Sequence, residues 1–447
     1  MSLIDPAPKI EELLNNKENF FRVIKACQKP EIQELISKAN DRYFYWTDFA
    51  HRIPANIDVK PEEIWSYLKL SRSANMKKTP LVDKNGRIFT YWIPDCLHRS
   101  ISEVDKWSGG QIITDQPFGL PAKERYIINS LMDEAIASSQ LEGASTEYKI
   151  AKEMLRSGRK PKDKNEQMIF NNWNAMQFIR ENSKPPFSLD KLFELHSILT
   201  LGTLKSPGDA GKFRESDDIH VIYREEIVHI PPKAATLKER EDKLIEFANT
   251  DNEEKNWVHP VIKGAMIHFW LAYDHPFVDG NGRTARALMY WYLLSRGYEL
   301  FQYLSISKHF LRAPGQYVRS YLYAENDEND LTYFLVYNLL SIRFAFNELR
   351  KYFKNKQSEI SKANDLLDRF RGLNLRQKSL IYHSIQHPDT VYSIEAHKNT
   401  HGIAYDTARK DLMILAAKGF LKIEKEGKRL FVFFPTSKVI EKLRDNK

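Results

Sequence analysis

A chain of 447 residues, 42% of them hydrophobic, is long enough for two or three domains with cores of their own. No run of ~18 uncharged apolar residues occurs, so no membrane span is expected. The start, Met1-Ser2-Leu3-Ile4-Asp5, lacks the basic and apolar regions of a signal peptide. The two cysteines, Cys27 and Cys96, point to a reducing, cytoplasmic setting rather than a disulfide framework.

The expected fold is mainly α. Residues 1–120 mix helical patches with short aromatic strands and read as an N-terminal α/β-mixed domain. Asp83-Lys84-Asn85-Gly86-Arg87 is a turn signal between two apolar runs, so a hairpin is predicted there. Gly109-Gly110 and Pro121 mark the boundary region. Residues 121–355 are predominantly helical. Apolar spacing predicts helices over Lys123 to Ser139, from Ser145 towards Arg156, Asn165 to Ile179, Leu189 to Leu199, His259 to Tyr273 and Thr284 to Arg296. Residues 218–232 are the exception. Two β-branched runs around Arg224-Glu225-Glu226 read as a hairpin stopped by Pro231-Pro232. His220 and His229 in this hairpin are read as structural or target-contacting, with no metal role, and His196 on its helix as a packing residue. Residues 350–365 read as a connecting helix or linker.

Between two of these helices lies His275-Pro276-Phe277-Val278-Asp279-Gly280-Asn281-Gly282-Arg283-Thr284-Ala285-Arg286. Backbone N–H groups at Gly280, Asn281 and Gly282 can converge on an anion, because glycine permits the close turns required, and the following helix adds its positive dipole end. Arg283 and Arg286 are i, i+3 neighbours where cations are disfavoured by ~0.3–1 kcal/mol each. Both are accounted for if a multiply charged anion, such as a nucleotide polyphosphate, sits among them. Asp279 suits a Mg²⁺ bridging phosphate oxygens. His275 is the group nearby that can act as a general base near neutral pH.

The run resembles the signature of the Fic family, His-Pro-Phe-x-x-Gly-Asn-Gly-Arg-x-x-Arg, at every fixed position. The resemblance implies transfer of AMP from ATP to a Ser, Thr or Tyr hydroxyl of a target protein or of the chain itself. His275 would then deprotonate the hydroxyl and Asp279 would hold Mg²⁺. Gly280, Asn281 and Gly282 would line the anion hole, and Arg283 and Arg286 would hold the outer phosphates. Phe277 would anchor the loop and Pro276 stiffen it. Upstream, Ser138-Ser139-Gln140-Leu141-Glu142-Gly143 is similar to the family's inhibitory pattern, Ser/Thr-x-x-x-Glu-Gly/Asn. It implies that Glu142, with Ser138 opening the pattern, pairs with Arg286 and displaces the γ-phosphate. The hairpin at 218–232 falls where the family carries a flap that pairs with the target's backbone by strand addition. Lys212-Phe213-Arg214 resembles a common family stretch and is given no catalytic role.

The net charge of +8 is uneven: residues 366–447 hold 16 Lys and Arg against 9 Asp and Glu, which suggests a polyanionic partner for that segment. Three short predicted helices (376–386, 393–400 and 406–418) followed by strand, turn and strand over 419–434 outline a winged helix-turn-helix over 360–447. Tyr405, Thr407, Arg409 and Lys410 could then reach the major groove of duplex DNA, and Lys425, Lys428 and Arg429 could lie near phosphates. The module equally fits packing, dimerisation or target presentation. The leading reading is an autoinhibited, Mg²⁺-dependent protein adenylyltransferase. A DNA-binding regulator with a nucleotide-sensing core and an AMP-removing hydrolase stay open, as does a homodimer.

Overall fold

A computed structural model describes residues 3–9, 17–108, 120–184, 186–250, 257–367, 372–387, 390–426 and 430–436. Gly109-Gly110, Lys428 and Arg429 fall outside the described residues. The fold is mainly helical with three small antiparallel sheets. It divides into two compact units, Met1–Leu349 and Arg350–Lys447, with the division inside the Thr332–Leu367 helix. No helix among the described residues is long and apolar enough to cross a membrane.

At the centre of the first unit are two adjacent helices, Pro260–Asp274 and Asn281–Ser295. The first is buried from Val261 to Leu271 and the second from Arg283 to Leu294, as expected of helices enclosed on all sides. The second starts three residues earlier than the apolar spacing predicts. Gly280 takes φ 86° at its N-cap, and Arg283 therefore lies in the first turn and Arg286 in the second. The Leu120–Leu141, Lys164–Glu181 and Leu189–Thr200 helices pack around the central pair. Leu120–Leu141 is held by buried Glu134, which accepts hydrogen bonds from Ser307 N (2.9 Å), Tyr290 Oη (3.1 Å) and Ser307 Oγ.

The N-terminal helices enclose their own apolar cluster around Trp65 and Phe49. The predicted hairpin forms as Lys77–Val82 and Ile88–Tyr91. It docks on the central helix: Phe89 meets Phe269 and Tyr273 edge-on at ring-centroid distances of 5.3 and 5.2 Å. Its outer strand also exchanges backbone hydrogen bonds with the 329–331 turn, from Thr90 N to Asn329 O and from Leu331 N to Thr90 O. A buried polar cluster reinforces this junction. Lys69 Nζ lies 2.9 Å from Asp327 and 3.5 Å from Asp330, and Tyr43 Oη donates to Asp330.

The second unit holds helices Leu375–Gln386, Ile394–His401 and Tyr405–Ala417 and a sheet in the order Tyr392–Ser393, Leu430–Pro435, Leu421–Glu426. Its core gathers Ile381, Ala408, Leu412, Leu415 and Phe433. Asp411, buried among them, takes Asn374 Nδ2 at 2.7 Å and Arg376 Nε at 2.7 Å.

Candidate active site

The run from His275 to Arg286 forms the sharp connection between the two central helices. Its shape is set by one side chain: Asn281 Oδ1 accepts from Phe277 N and its Nδ2 donates to Phe277 O, both at 2.8 Å. This double bond closes the loop on itself, so the Asn281 amide serves the loop backbone. Phe277 is fully buried. His196 stacks on it with ring centroids 3.8 Å apart and planes 9° from parallel. His196 Nδ1 accepts from Gly211 N at 2.9 Å, which fixes the tautomer and leaves Nε2–H to donate to Asp279 O at 2.9 Å. Burial pushes this imidazole down to about 4, so it is neutral at physiological pH. The helix position of His196 reads as packing. The ring does pack, and it also ties Gly211 to the Asp279 carbonyl of the loop, one hydrogen bond to each, which no sequence pattern signals.

Arg214 is the second positioning residue that the sequence leaves unassigned. It is 3% exposed. Its Nε donates to His275 O at 3.0 Å, Nη1 to Ser216 O at 2.8 Å and Nη2 to Pro232 O, while its backbone N donates to Pro276 O at 2.8 Å. One guanidinium thus ties Ser216, just before the 218–232 segment, and Pro232, at its end, to the loop. The flap itself is two short strands, Val221–Tyr223 and Glu226–His229, turning through Arg224 and Glu225 at positive φ. Ile222, Ile227 and Ile230 point outward and are 65%, 56% and 49% exposed. His229 anchors the flap, with Nδ1 2.8 Å from Glu325 Oε2 and Nε2 2.7 Å from Tyr273 O.

His275 caps the Pro260–Asp274 helix in a left-handed conformation, φ 47°, uncommon for a residue with a side chain. Its Nδ1 faces Ala272 O at 3.4 Å, which directs Nε2 away from the helix. Burial first, then the neighbouring His229 and Arg214, push its imidazole down to about 4. Asp274 before it is fully buried. It pairs with Arg240 (Nε to Oδ1, 2.8 Å) and accepts from Trp270 Nε1 at 3.0 Å. Arg240 Nη2 continues to Val82 O at 2.6 Å, and Lys84 N donates to Tyr273 Oη at 3.1 Å. The N-terminal hairpin therefore braces the end of the helix that presents His275.

Seven further predicted residues, Ser138, Glu142, Asp279, Gly280, Gly282, Arg283 and Arg286, lie at or beside the helix start. Arg286, 1% exposed, donates from Nε to Ser138 Oγ and from Nη2 to Ser138 O, both at 2.9 Å, and Nη2 lies 2.9 Å from Glu142 Oε1. The Glu142 carboxylate sits directly over Gly282. A Cβ built there would lie 2.2 Å from its Oε1. Arg286 Nη1 meets no acceptor in hydrogen-bonding geometry, nor does Arg283 Nε, although both atoms are buried. Arg283 Nη1 donates to Leu199 O at 2.8 Å. Asp279 stands at the rim, its side chain 54% exposed and 3.8 Å from Arg283. Its Oδ1 accepts from Gly280 N at 2.6 Å, so that N–H, expected to face an anion, is engaged within the loop.

A cavity of about 210 Å³ opens between the loop, the flap and the Pro314–Asn326 helix. Glu142, Gly282, Arg286 and His275 form one part of its wall; Val221, Tyr223, Tyr317, Val318 and Tyr321 form an apolar and aromatic part.

The helical core with this loop has known counterparts. A crystal structure of a Fic family protein from Desulfovibrio desulfuricans G20 superimposes with a TM-score of 0.51 at 17% identity, over 76% of this chain and 94% of that one, which establishes a Fic fold. Residues 186–293 match the model of the Fic/DOC family. Two proteins called protein adenylyltransferase Fic align over 178 residues. That of Drosophila mojavensis is 32% identical and that of Drosophila grimshawi 30%, each over 39% of this chain. The aligned part spans only about a third of their length, 33% and 34% respectively. Residues 186–293 are therefore similar to the Fic/DOC family, on a chain with a Fic fold.

Proposed function

We propose that this protein is an adenylyltransferase that transfers AMP from ATP to a hydroxyl of a protein, and that Glu142 holds it at rest. The observation that carries this reading is the carboxylate of Glu142 over Gly282, paired with Arg286. It occupies an anion position beside the buried guanidiniums of Arg283 and Arg286, and Arg283 Nε has no acceptor among the described residues. A phosphate group would satisfy the same donors, so phosphate and Glu142 compete for one place. The names of the aligned relatives support the same activity.

In the reaction, the target hydroxyl oxygen attacks the α-phosphorus and the bond to pyrophosphate breaks. Pyrophosphate leaves with the bonding electron pair, and the hydroxyl proton passes to His275 Nε2. The geometry suits that proton transfer. Nδ1 is turned to Ala272 O, and burial keeps the imidazole neutral at physiological pH, so Nε2 offers a lone pair to the hydroxyl proton. Arg283 and Arg286 would bind the outer phosphates, with Ser138 and Leu199 O holding the two guanidiniums in place. The base would enter the apolar wall formed by Val221, Tyr317 and Tyr321. Charge stabilisation and positioning then carry the catalysis, as in other transfers at phosphorus.

Mg²⁺ fits the donor set. One half-exposed carboxylate, Asp279, lies 3.8 Å from Arg283, which would bind an outer phosphate. Such an ion needs only one or two protein carboxylates when phosphates and water supply the rest. When bound it would neutralise phosphate charge. The flap, with outward isoleucines and a free edge, suits a target segment added as a strand.

The test is label transfer from α-³²P-ATP by Glu142→Gly against the unaltered chain. We expect an increase of about tenfold or more, the equivalent of ~1.4 kcal/mol of lost competition. Equal labelling in both would sink the inhibitory role, and a mass increment other than that of AMP would overturn the reaction.

A second reading concerns residues 360–447, taken as a winged helix-turn-helix that binds duplex DNA. On the Tyr405–Ala417 helix, Tyr405, Thr407, Arg409 and Lys410 are all exposed while Ala408, Asp411, Leu412 and Leu415 are buried. One face is thus free for a groove. A mobility shift with duplex DNA that weakens steeply with salt supports this reading; no shift at low salt removes it.

A further inference from the structure

A second concavity lies towards the N-terminal end of the Pro260–Asp274 helix. It measures about 820 Å³ and shares no lining residue with the cavity at His275. Its walls come from the start of the Lys77–Val82 strand, the Leu237–Asn249 helix and the first turns of Pro260–Asp274. Four lysines line it, Lys77, Lys78, Lys243 and Lys263, against one carboxylate among the described lining residues, Glu246. Lys77 and Lys78 are exposed neighbours at the start of the strand. Lys243 reaches Glu239 at 2.7 Å in an exposed i, i+4 pair, an interaction weak enough to exchange for a better anion. Lys263 is 5% exposed, donates from Nζ to Thr250 O at 2.5 Å and lies over the Phe247 ring, 4.7 Å from its centroid, so the exposed Lys77, Lys78 and Lys243 are the ammonium groups open to a ligand. At the rim, Trp257 is 56% exposed.

A surplus of ammonium groups collected in a concavity attracts a compact polyanion. Lysine binds phosphate as a point charge without demanding a bidentate partner. An exposed indole beside such a surplus offers a stacking face for a flat ring. The volume falls in the usual ligand range of about 300–1,000 Å³. We propose that this groove binds a phosphate-bearing ligand with a flat aromatic ring, of the nucleotide class, at a site separate from the one beside His275. An acidic peptide would match the charge but would not need the indole.

The test titrates the full chain with ADP, by calorimetry or equilibrium dialysis, at low and moderate salt. ADP should bind two sites in the unaltered chain. Arg286→Ala should remove the site beside His275 and leave about one ADP per chain. Adding Lys77→Ala and Lys78→Ala should weaken that remaining site at least tenfold. Trp257→Ala should weaken ADP several-fold yet leave inorganic tripolyphosphate unaffected. Should Arg286→Ala fail to fold, the exposed lysine pair replaced in the otherwise unaltered chain reads the same site as the loss of one of two. ADP binding that is insensitive to the lysine pair overturns the proposal. So does an Arg286→Ala chain that folds and binds no ADP, or a Trp257→Ala chain that binds ADP as well as the unaltered one. If instead Arg286→Ala leaves both sites intact, the reading of the cavity beside His275 fails while the groove stands.

Discussion

The loop from His275 to Arg286 and the flap from Val221 to His229 face one cavity, yet they are built in opposite ways. The loop is held at nearly every residue: Asn281 closes it, His196 and Arg214 pin its backbone, and Phe277, Arg283 and Arg286 are buried. The flap has seven residues in strands, one neighbouring strand per strand, and isoleucines turned to solvent. Bond-making chemistry tolerates little displacement of its groups. Recognition of a partner segment needs an open edge instead. On the proposed reading, the contrast is that between a preorganised site and an edge left open for a partner.

The largest effect that could break this contrast belongs to His275→Ala. In the Glu142→Gly background it should lower label transfer by at least ~100-fold while ADP still binds beside Gly282. Residual transfer within a few-fold would remove the proposed base. Arg214→Ala comes next, because it releases loop and flap together. A fall of about 10- to 100-fold in kcat is expected, with partial return in Arg214→Lys. A change confined to KM would make Arg214 part of the flap alone. Ile227→Asp should raise KM for a protein target several-fold and leave the affinity for ADP as it was, since Ile227 is exposed and outside the cavity wall. Equal target modification would mean the strand edge is not the docking surface. The smallest effect is spectroscopic. The imidazole pushed down to about 4 is neutral above that pH and takes its proton only as the pH falls through it. The ring resonance that His275→Ala deletes should therefore hold its shift between pH 8 and pH 5.5, and a midpoint near 6.5 would show that the ring is not buried in this way.

How far the sequence could be read follows the same division. The order of residue types from His275 to Arg286 marks an anion-binding helix start, and Ser138 to Glu142 adds the carboxylate that pairs with Arg286. Local chemistry is compressed into short runs there. The hairpins at 83–87 and 218–232 were legible for the same reason, since turn residues stand between β-branched or apolar runs. What holds these pieces was not legible. His196 reaches Asp279 across 83 positions and Arg214 reaches His275 across 61, and one buried histidine or arginine in a sequence carries no sign of such a partner. Tyr317 and Tyr321, spaced four apart, read as an ordinary core stripe, although they form part of the cavity wall. The N-terminal region offered no chemistry of its own, because its contribution to the site is the Val82 and Asp83 carbonyls, which accept from Arg240, and the Lys84 N–H.

That contribution bears on portability. The Val82 carbonyl and the Lys84 N–H reach the helix end next to His275 through Arg240 and Tyr273. A fragment trimmed to the family-matching segment would keep every residue of the loop and lose the outer support of its histidine. The segment that sequence comparison isolates is therefore smaller than the piece of chain that could be transplanted as a working unit.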